Sequence, residues 1–156
     1  MKYYGIGPAS CGEFVQGVMD RAEYLCSYAV DLYSTAEVEE KLNNINLGPL
    51  KSRKAIEAVF KKFNIPVEES KNISLKIRSK IPVGKGMASS TADIGATIGA
   101  TLGLIKKELS SEEIAKLAST IEPTDSLYIE KNSIFNPLNG EVIRYLGNVK
   151  DLRVVI

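Results

Sequence analysis

Gly95, Gly99 and Gly103 stand four residues apart in a stretch that otherwise reads as helix, from about Ala88 to Leu104. Residues four apart share one helix face, and each glycine costs a helix about 1 kcal/mol against alanine. Three such costs on one face ask for a reason, and the plainest is another backbone packed closely against it. Just before this helix comes Pro82-Val-Gly-Lys-Gly-Met-Ala-Ser-Ser-Thr91. Before that loop, Ile73, Leu75 and Ile77 alternate with Ser74, Lys76 and Arg78, the period of a half-buried strand. The glycine loop follows this strand directly and leads into the glycine-faced helix.

The flanking segments supply more strands on both sides. The start reads as a short strand ending at Gly7-Pro8, followed by the small polar run ASCGEFVQG. Tyr24 to Val38, rich in aromatic, β-branched and Thr residues, predicts one or two strands broken near Asp31. Asn43 to Gly48 is a turn cluster. Pro49 suits a first helical position, and Leu50, Ile56, Val59, Phe60 and Phe63 fall near one helical stripe. That helix should stop before Ile65-Pro66. Ser110 and Glu113 make a capping box for a second short helix carrying Ile114, Leu117, Ala118 and Ile121. Asn139-Gly140 predicts a hairpin turn between Ile134-Phe135 and Glu141 to Leu146, and Leu152 to Ile156 reads as a last strand. Runs of strands and runs of helices point to α+β rather than a doubly wound parallel sheet.

The chain has no histidine, which removes Ser-His-Asp triads, Cys-His pairs and HExxH zinc sites. Acid–base work falls to Asp, Glu, Lys, Tyr or Cys. Twenty basic and 19 acidic residues leave a formal charge of +1, against a general nucleic-acid or anionic-membrane binder. Two cysteines, Cys11 and Cys26, make no disulfide framework and suit a reduced cytoplasmic setting. The N-terminus lacks the apolar core of a signal peptide, and the apolar stretch Ile94 to Ile105 is too short and broken to span a membrane.

The loop is where chemistry concentrates. Gly84 and Gly86 allow unusual backbone angles and close approach of main-chain N–H groups to a ligand. Ser89 and Ser90 then fall in the first turn of a helix, where free N–H groups and the positive dipole end attract anions. Lys85 adds a cation. Together these make a phosphate cradle, though neither a Walker A loop nor a GxGxxG fingerprint. A plain glycine turn with serine caps uses the same residues, and the loop alone does not choose between the two.

Pro82-Val-Gly-Lys-Gly-Met-Ala-Ser-Ser90 resembles the Pro-x3-Gly-Leu-Gly-Ser-Ser signature of the GHMP kinases, with Met87 and Ala88 standing for Leu and Gly. Pro8-Ala-Ser-Cys-Gly-Glu-Phe-Val-Gln-Gly17 resembles the opening of the L-threonine kinases of cobalamin biosynthesis, as do Val30 to Ser34 and Glu122-Pro-Thr-Asp-Ser126. The resemblance implies an α+β fold like the second domain of ribosomal protein S5, and ATP-dependent phosphorylation of a small alcohol. On that reading Pro82, Gly84, Lys85, Gly86, Met87, Ala88, Ser89 and Ser90 bind ATP. Ser90 and Glu122 hold Mg²⁺, a hard cation suited to oxygen ligands. Asp125 takes the proton of the acceptor hydroxyl. Ser10, Gly12, Glu13 and Gln16 line the substrate pocket, with Glu13 toward the ammonium of L-threonine or a similar amino alcohol. Glu122 and Asp125 are three apart, so a helical turn would bring them to one side. Taken structurally, Glu122 is a solvated helix end and Asp125 a turn cap. Asp31 and Ser34 either face the site or mark a strand-end turn. Cys11 is a small packing residue, and the lysines of the helix after Pro49 are an ordinary solvated face.

GHMP kinases run to about twice 156 residues and carry a further glycine-rich motif in a C-terminal half, which nothing after Gly103 resembles. Residues 1–156 are therefore read as the N-terminal ATP-binding domain, with the C-terminal domain absent and the pocket incomplete. The expected partners are a small-molecule substrate and the missing half, with no nucleic acid and no membrane. Two alternatives stand beside the threonine kinase: a kinase for another small alcohol such as homoserine, and a non-catalytic binding module on the S5-like fold.

Overall fold

The computed structural model describes residues 1–42, 44–147, 149 and 152–154. Its spine is a long antiparallel hairpin, β1 (Lys2–Met19) and β2 (Ala22–Glu40). The first strand does not end at Gly7-Pro8, where the sequence predicts its end; the polar run after Pro8 continues the ladder to Met19. Three register shifts accommodate it, between Pro8 and Ala9, Ser10 and Glu13, and Glu13 and Val15. The first leaves Asp31 and Leu32 without opposite partners, because Pro8 faces Tyr33 and Ala9 faces Val30. The expected break near Asp31 is therefore a bulge inside one strand. Gly12, at φ 115°, turns the second irregularity, in a backbone region that side-chain-bearing residues avoid.

On its other edge β2 pairs twice. Its C-terminal part, Ser34 to Glu40, takes β3 (Ile73–Ser79), and Leu25 takes Phe135 of β4 (Ser133–Asn136). β4 pairs in turn with β5 (Glu141–Tyr145). Between β3 and β4 this edge of β2 has no strand partner among the described residues. A 3₁₀ turn at Ser126–Tyr128 fills part of the gap, and the Ser27 N–H donates to Ser126 Oγ at 3.0 Å.

Helices α1 (Leu50–Lys62), α2 (Ser89–Ile105) and α3 (Ser111–Ser119) cover one face of the sheet. Ala36, Val38, Ile73 and Leu75 from the strands meet Ile56, Phe60, Ala96 and Ala100 from the helices. The opposite face leaves Tyr4, Ile6 and Tyr33 exposed. Pro49 caps α1 rather than opening it, and Leu50, expected on the buried stripe, is exposed, because burial begins only at Ser52 and Arg53. Gly48, at φ 68°, and Asn44 and Asn46 build the turn before it; Asn43 lies outside the described residues. The Ser110–Glu113 capping box is formed in both directions. The hairpin loop before β5 spans four residues, Pro137 to Gly140, rather than Asn139-Gly140 alone. Of the last expected strand, Leu152 to Val154 is irregular; residues 155 and 156 lie outside the described chain.

The close approach expected on α2 is made mainly by glycines of the strand. A Cβ on Gly5 would sit 2.0 Å from Ala96 O, and one on Gly7 2.1 Å from Ala92 O. Of the helix glycines, Gly99 faces Gly5 Cα, while the space at Gly95 is filled by the Tyr128 ring and that at Gly103 borders Tyr3. The result seats the N-terminal turn of α2 directly on β1.

Candidate active site

The glycine loop hangs from two buried anchors, Ile81 and Met87, which pack with Ala9 and Ala92. The Ser10 N–H donates to Met87 O at 3.2 Å, fastening the loop to β1. Between the anchors, Pro82 to Gly86 are exposed. Gly84, Gly86 and Ala88 all have positive φ, at 70°, 71° and 54°. Such alternation gathers backbone N–H groups into a concavity that suits an anion. No side chain caps α2, and its first ladder bond runs from the Ala92 N–H to Ala88 O, so the N–H groups of Ser89, Ser90 and Thr91 remain available to an anion. Lys85 makes no ion pair among the described residues.

Two carboxylates close on consecutive residues of this turn. Ser90 Oγ donates to Glu122 Oε1 at 2.5 Å, and Thr91 Oγ1 donates to Asp125 Oδ2 at 3.2 Å. The expected helical turn does not bring them together: Pro123 ends the helical path and Asp125 is extended, at φ −84° and ψ 163°. Instead α2 gathers both. The other Glu122 oxygen is paired with the ammonium of Lys51, in the first turn of α1. The other Asp125 oxygen accepts from Ser27 Oγ at 3.5 Å. Asp125 makes no cap bond to its own turn, and the Glu122 side chain is only 15% exposed. Neither matches the purely structural role open to it in the sequence.

Burial pushes the Asp125 carboxyl above the ordinary carboxylate range; bonds from Thr91 and Ser27 oppose this and the Glu122 charge adds to it. Burial also raises Glu13, with the Asp125 charge a second cause. Glu13 lies opposite Ser27 in the ladder, and so beside the carboxylate that Ser27 holds. Ser10 is buried, its hydroxyl donating to Gly12 O at 2.8 Å and accepting the Gly12 N–H at 3.1 Å, which closes the bulge. Gln16 lies further out along the hairpin, exposed and donating to Glu23 at 2.9 Å. Ser34 bonds the half-buried carboxyl of Asp93, while Asp31 lines a separate cleft of about 730 Å³ with Phe14, Tyr28 and Arg153. Cys11 and Cys26 are free thiols.

The structure thus assembles the loop, Ser90, Glu122, Asp125 and Glu13, builds the bulge from Ser10 and Gly12, and leaves Gln16 outside. Three contributors were not singled out in the sequence: Lys51, Thr91 and Ser27. Thr91 follows Ser90 directly and was legible as the next hydroxyl; Lys51 and Ser27 carry no local signal. Among the described residues no three Asp, Glu, Cys or His side chains gather as a metal cluster. A hydroxyl and a carboxylate nonetheless fit Mg²⁺, which keeps waters and takes substrate phosphates besides one or two protein oxygens.

The family model for the GHMP kinases N terminal domain matches residues 51–128, which span α1, the loop, both carboxylates and the turn behind them. The chain belongs to this family. Among curated relatives, L-threonine kinase of Salmonella typhimurium is 44% identical over 133 residues, covering 85% of this chain and 44% of that protein. L-threonine kinase of Citrobacter freundii is 39% identical, over 85% of this chain and 46% of its own length. The chain therefore spans about half the length of these relatives. Among solved structures, a mevalonate kinase superposes at TM-score 0.67 with 27% identity, over 92% of this chain and 56% of its own. No helix among the described residues is long and apolar enough to cross a membrane.

Proposed function

We propose that this chain is the ATP-binding half of a kinase that phosphorylates the hydroxyl of L-threonine, giving O-phospho-L-threonine for cobalamin biosynthesis. The observation that carries the reading is the pairing of Ser90 with Glu122 and of Thr91 with Asp125 at the mouth of the glycine loop. Identity to two L-threonine kinases across 85% of the chain supports the acceptor. The fold is assigned to the ribosomal protein S5 domain 2-like class and the setting to the cytoplasm. The remaining half of the enzyme lies outside this chain and completes the pocket.

Phosphoryl transfer asks mainly for positioning and charge neutralisation. Backbone N–H groups from Gly84 to Ser90, with Lys85, hold the β- and γ-phosphates. Ser90 and Glu122 would hold Mg²⁺, which would supply charge neutralisation on those phosphates. Asp125, made more basic by its partial burial, accepts the threonine hydroxyl proton as the oxygen bonds the γ-phosphorus. The bond to the β–γ bridging oxygen breaks and ADP leaves. Glu13, beside Asp125, suits the substrate ammonium. Ser10 and Gly12 shape this wall through the backbone, and Gln16, bonded to Glu23, lies outside it.

An ATP-consumption assay with threonine, serine and homoserine, on this chain and on a form extended through the C-terminal half, tests the reading. Threonine-dependent turnover by the extended form, with little by the 156-residue chain, is expected. Preference for homoserine would replace the acceptor, and no nucleotide binding by either form would leave a non-catalytic module.

A further inference from the structure

Lys51 occupies an unfavourable place. The N-terminal end of a helix carries partial positive charge, which disfavours cations in its first turn. Helix α1 nevertheless has Lys51 there and no acidic residue to offset it. The side chain is 55% exposed, so core packing does not explain it. What it does meet is Glu122, on the oxygen that Ser90 leaves free. A local rule broken without a packing gain is a mark of a functional position.

Resting on the metal reading above, we infer that Lys51 is a resident counter-ion of that site, a positioning residue that a bare divalent ion must displace. With no metal present, its ammonium neutralises Glu122 and keeps the carboxylate turned toward Ser90. A free divalent ion at Ser90 and Glu122 meets like charge and competes for the same oxygens. A divalent ion carried on a nucleoside triphosphate arrives with net negative charge and suffers no such repulsion. Lys51 therefore reserves the site for the metal–nucleotide complex, coupling metal binding to nucleotide binding.

Mn²⁺ binding, followed by electron paramagnetic resonance with and without a non-hydrolysable ATP analogue, tests this on the wild-type chain, Lys51→Met, Lys51→Gln and Glu122→Gln. Both Lys51 variants should bind free Mn²⁺ about tenfold more tightly than wild type at low salt, a gain that shrinks as salt screens the charge. With the analogue present the gain should collapse, and Glu122→Gln should lose Mn²⁺ in both conditions. Lys51 variants that bind free Mn²⁺ no better than wild type would overturn the inference while leaving the metal site standing. Absence of Mn²⁺ binding in every chain, even with the analogue, would remove the metal site and the inference together.

Discussion

Gly7→Ala isolates the contact that places the site. Gly7 is not in the left-handed region, so an added methyl brings no backbone strain. Its Cβ would lie 2.1 Å from Ala92 O, 2.9 Å from Ala92 C and 3.0 Å from Ala92 Cα. All three obstacles are backbone, so no rotamer change relieves them. The first turns of α2 must retreat by about 1 Å to restore ordinary contact. Overpacking costs about 1–3 kcal/mol, and an immovable helix backbone sets the upper end. Replacing a strand glycine by alanine returns roughly 0.5–1 kcal/mol, leaving a net loss of about 2 kcal/mol. Gly17→Ala is the control, because it lies on the same strand with nothing within 4 Å of its Cβ. Urea unfolding of both variants reads the difference directly. Ala92 follows Thr91, so Gly7→Ala should also weaken binding of an ATP analogue, since such sites tolerate little displacement. A Gly7→Ala stability within about 0.5 kcal/mol of the Gly17→Ala value would refute the packing argument.

Asp125 carries a raised carboxyl pKa, so its neutral form is favoured on folding; the associated stability is present below the ordinary carboxylate range and lost as pH rises through the raised value. Asp125→Asn should therefore raise Tm near pH 7 and have little effect near pH 4, while lowering kcat strongly in the extended protein; a lower Tm at neutral pH, or near-normal kcat, would contradict this. Arg53 is buried, and its guanidinium donates to Leu47 O, Ser70 O and Ile73 O at 2.9, 2.7 and 2.7 Å. Arg53→Met should cost about 3 kcal/mol in urea unfolding by stranding those carbonyls, and a loss under about 1 kcal/mol would show that water replaces the side chain.

The sequence was most legible where physics is local. The β3 alternation, the glycine loop, the α2 period and the Ser110–Glu113 box each depend on residues within a turn or two of one another. Leu50 misled because a stripe predicts a face, while the covering elements decide where burial begins. The stretch from Ala9 to Gln16 was hidden because it lacks apolar alternation. It is held by ladder bonds to β2 and by bulges, which depend on a partner strand rather than on side-chain pattern. Ser27 and Lys51 were out of reach for the same reason, reaching Asp125 and Glu122 across 98 and 71 residues of chain.

Spacing alone made Glu122 and Asp125 look like a pair; their partners separate them. Glu122 is bound to a hydroxyl and a half-exposed ammonium, both of which a cation can replace. Asp125 has no ion pair among the described residues and sits half-buried between two hydroxyls. Paired with a hydroxyl and an ammonium that can move aside, the first carboxylate is open to metal. Burial, only partly opposed by its two hydroxyl donors, makes the second more basic, so that it attracts a proton. Environments that divide two neighbouring carboxylates in this way are how one site runs both electrostatic and proton-transfer work. The division depends on α1 reaching Glu122 and on β2 reaching Asp125, so it exists only once the helical layer has closed on the sheet.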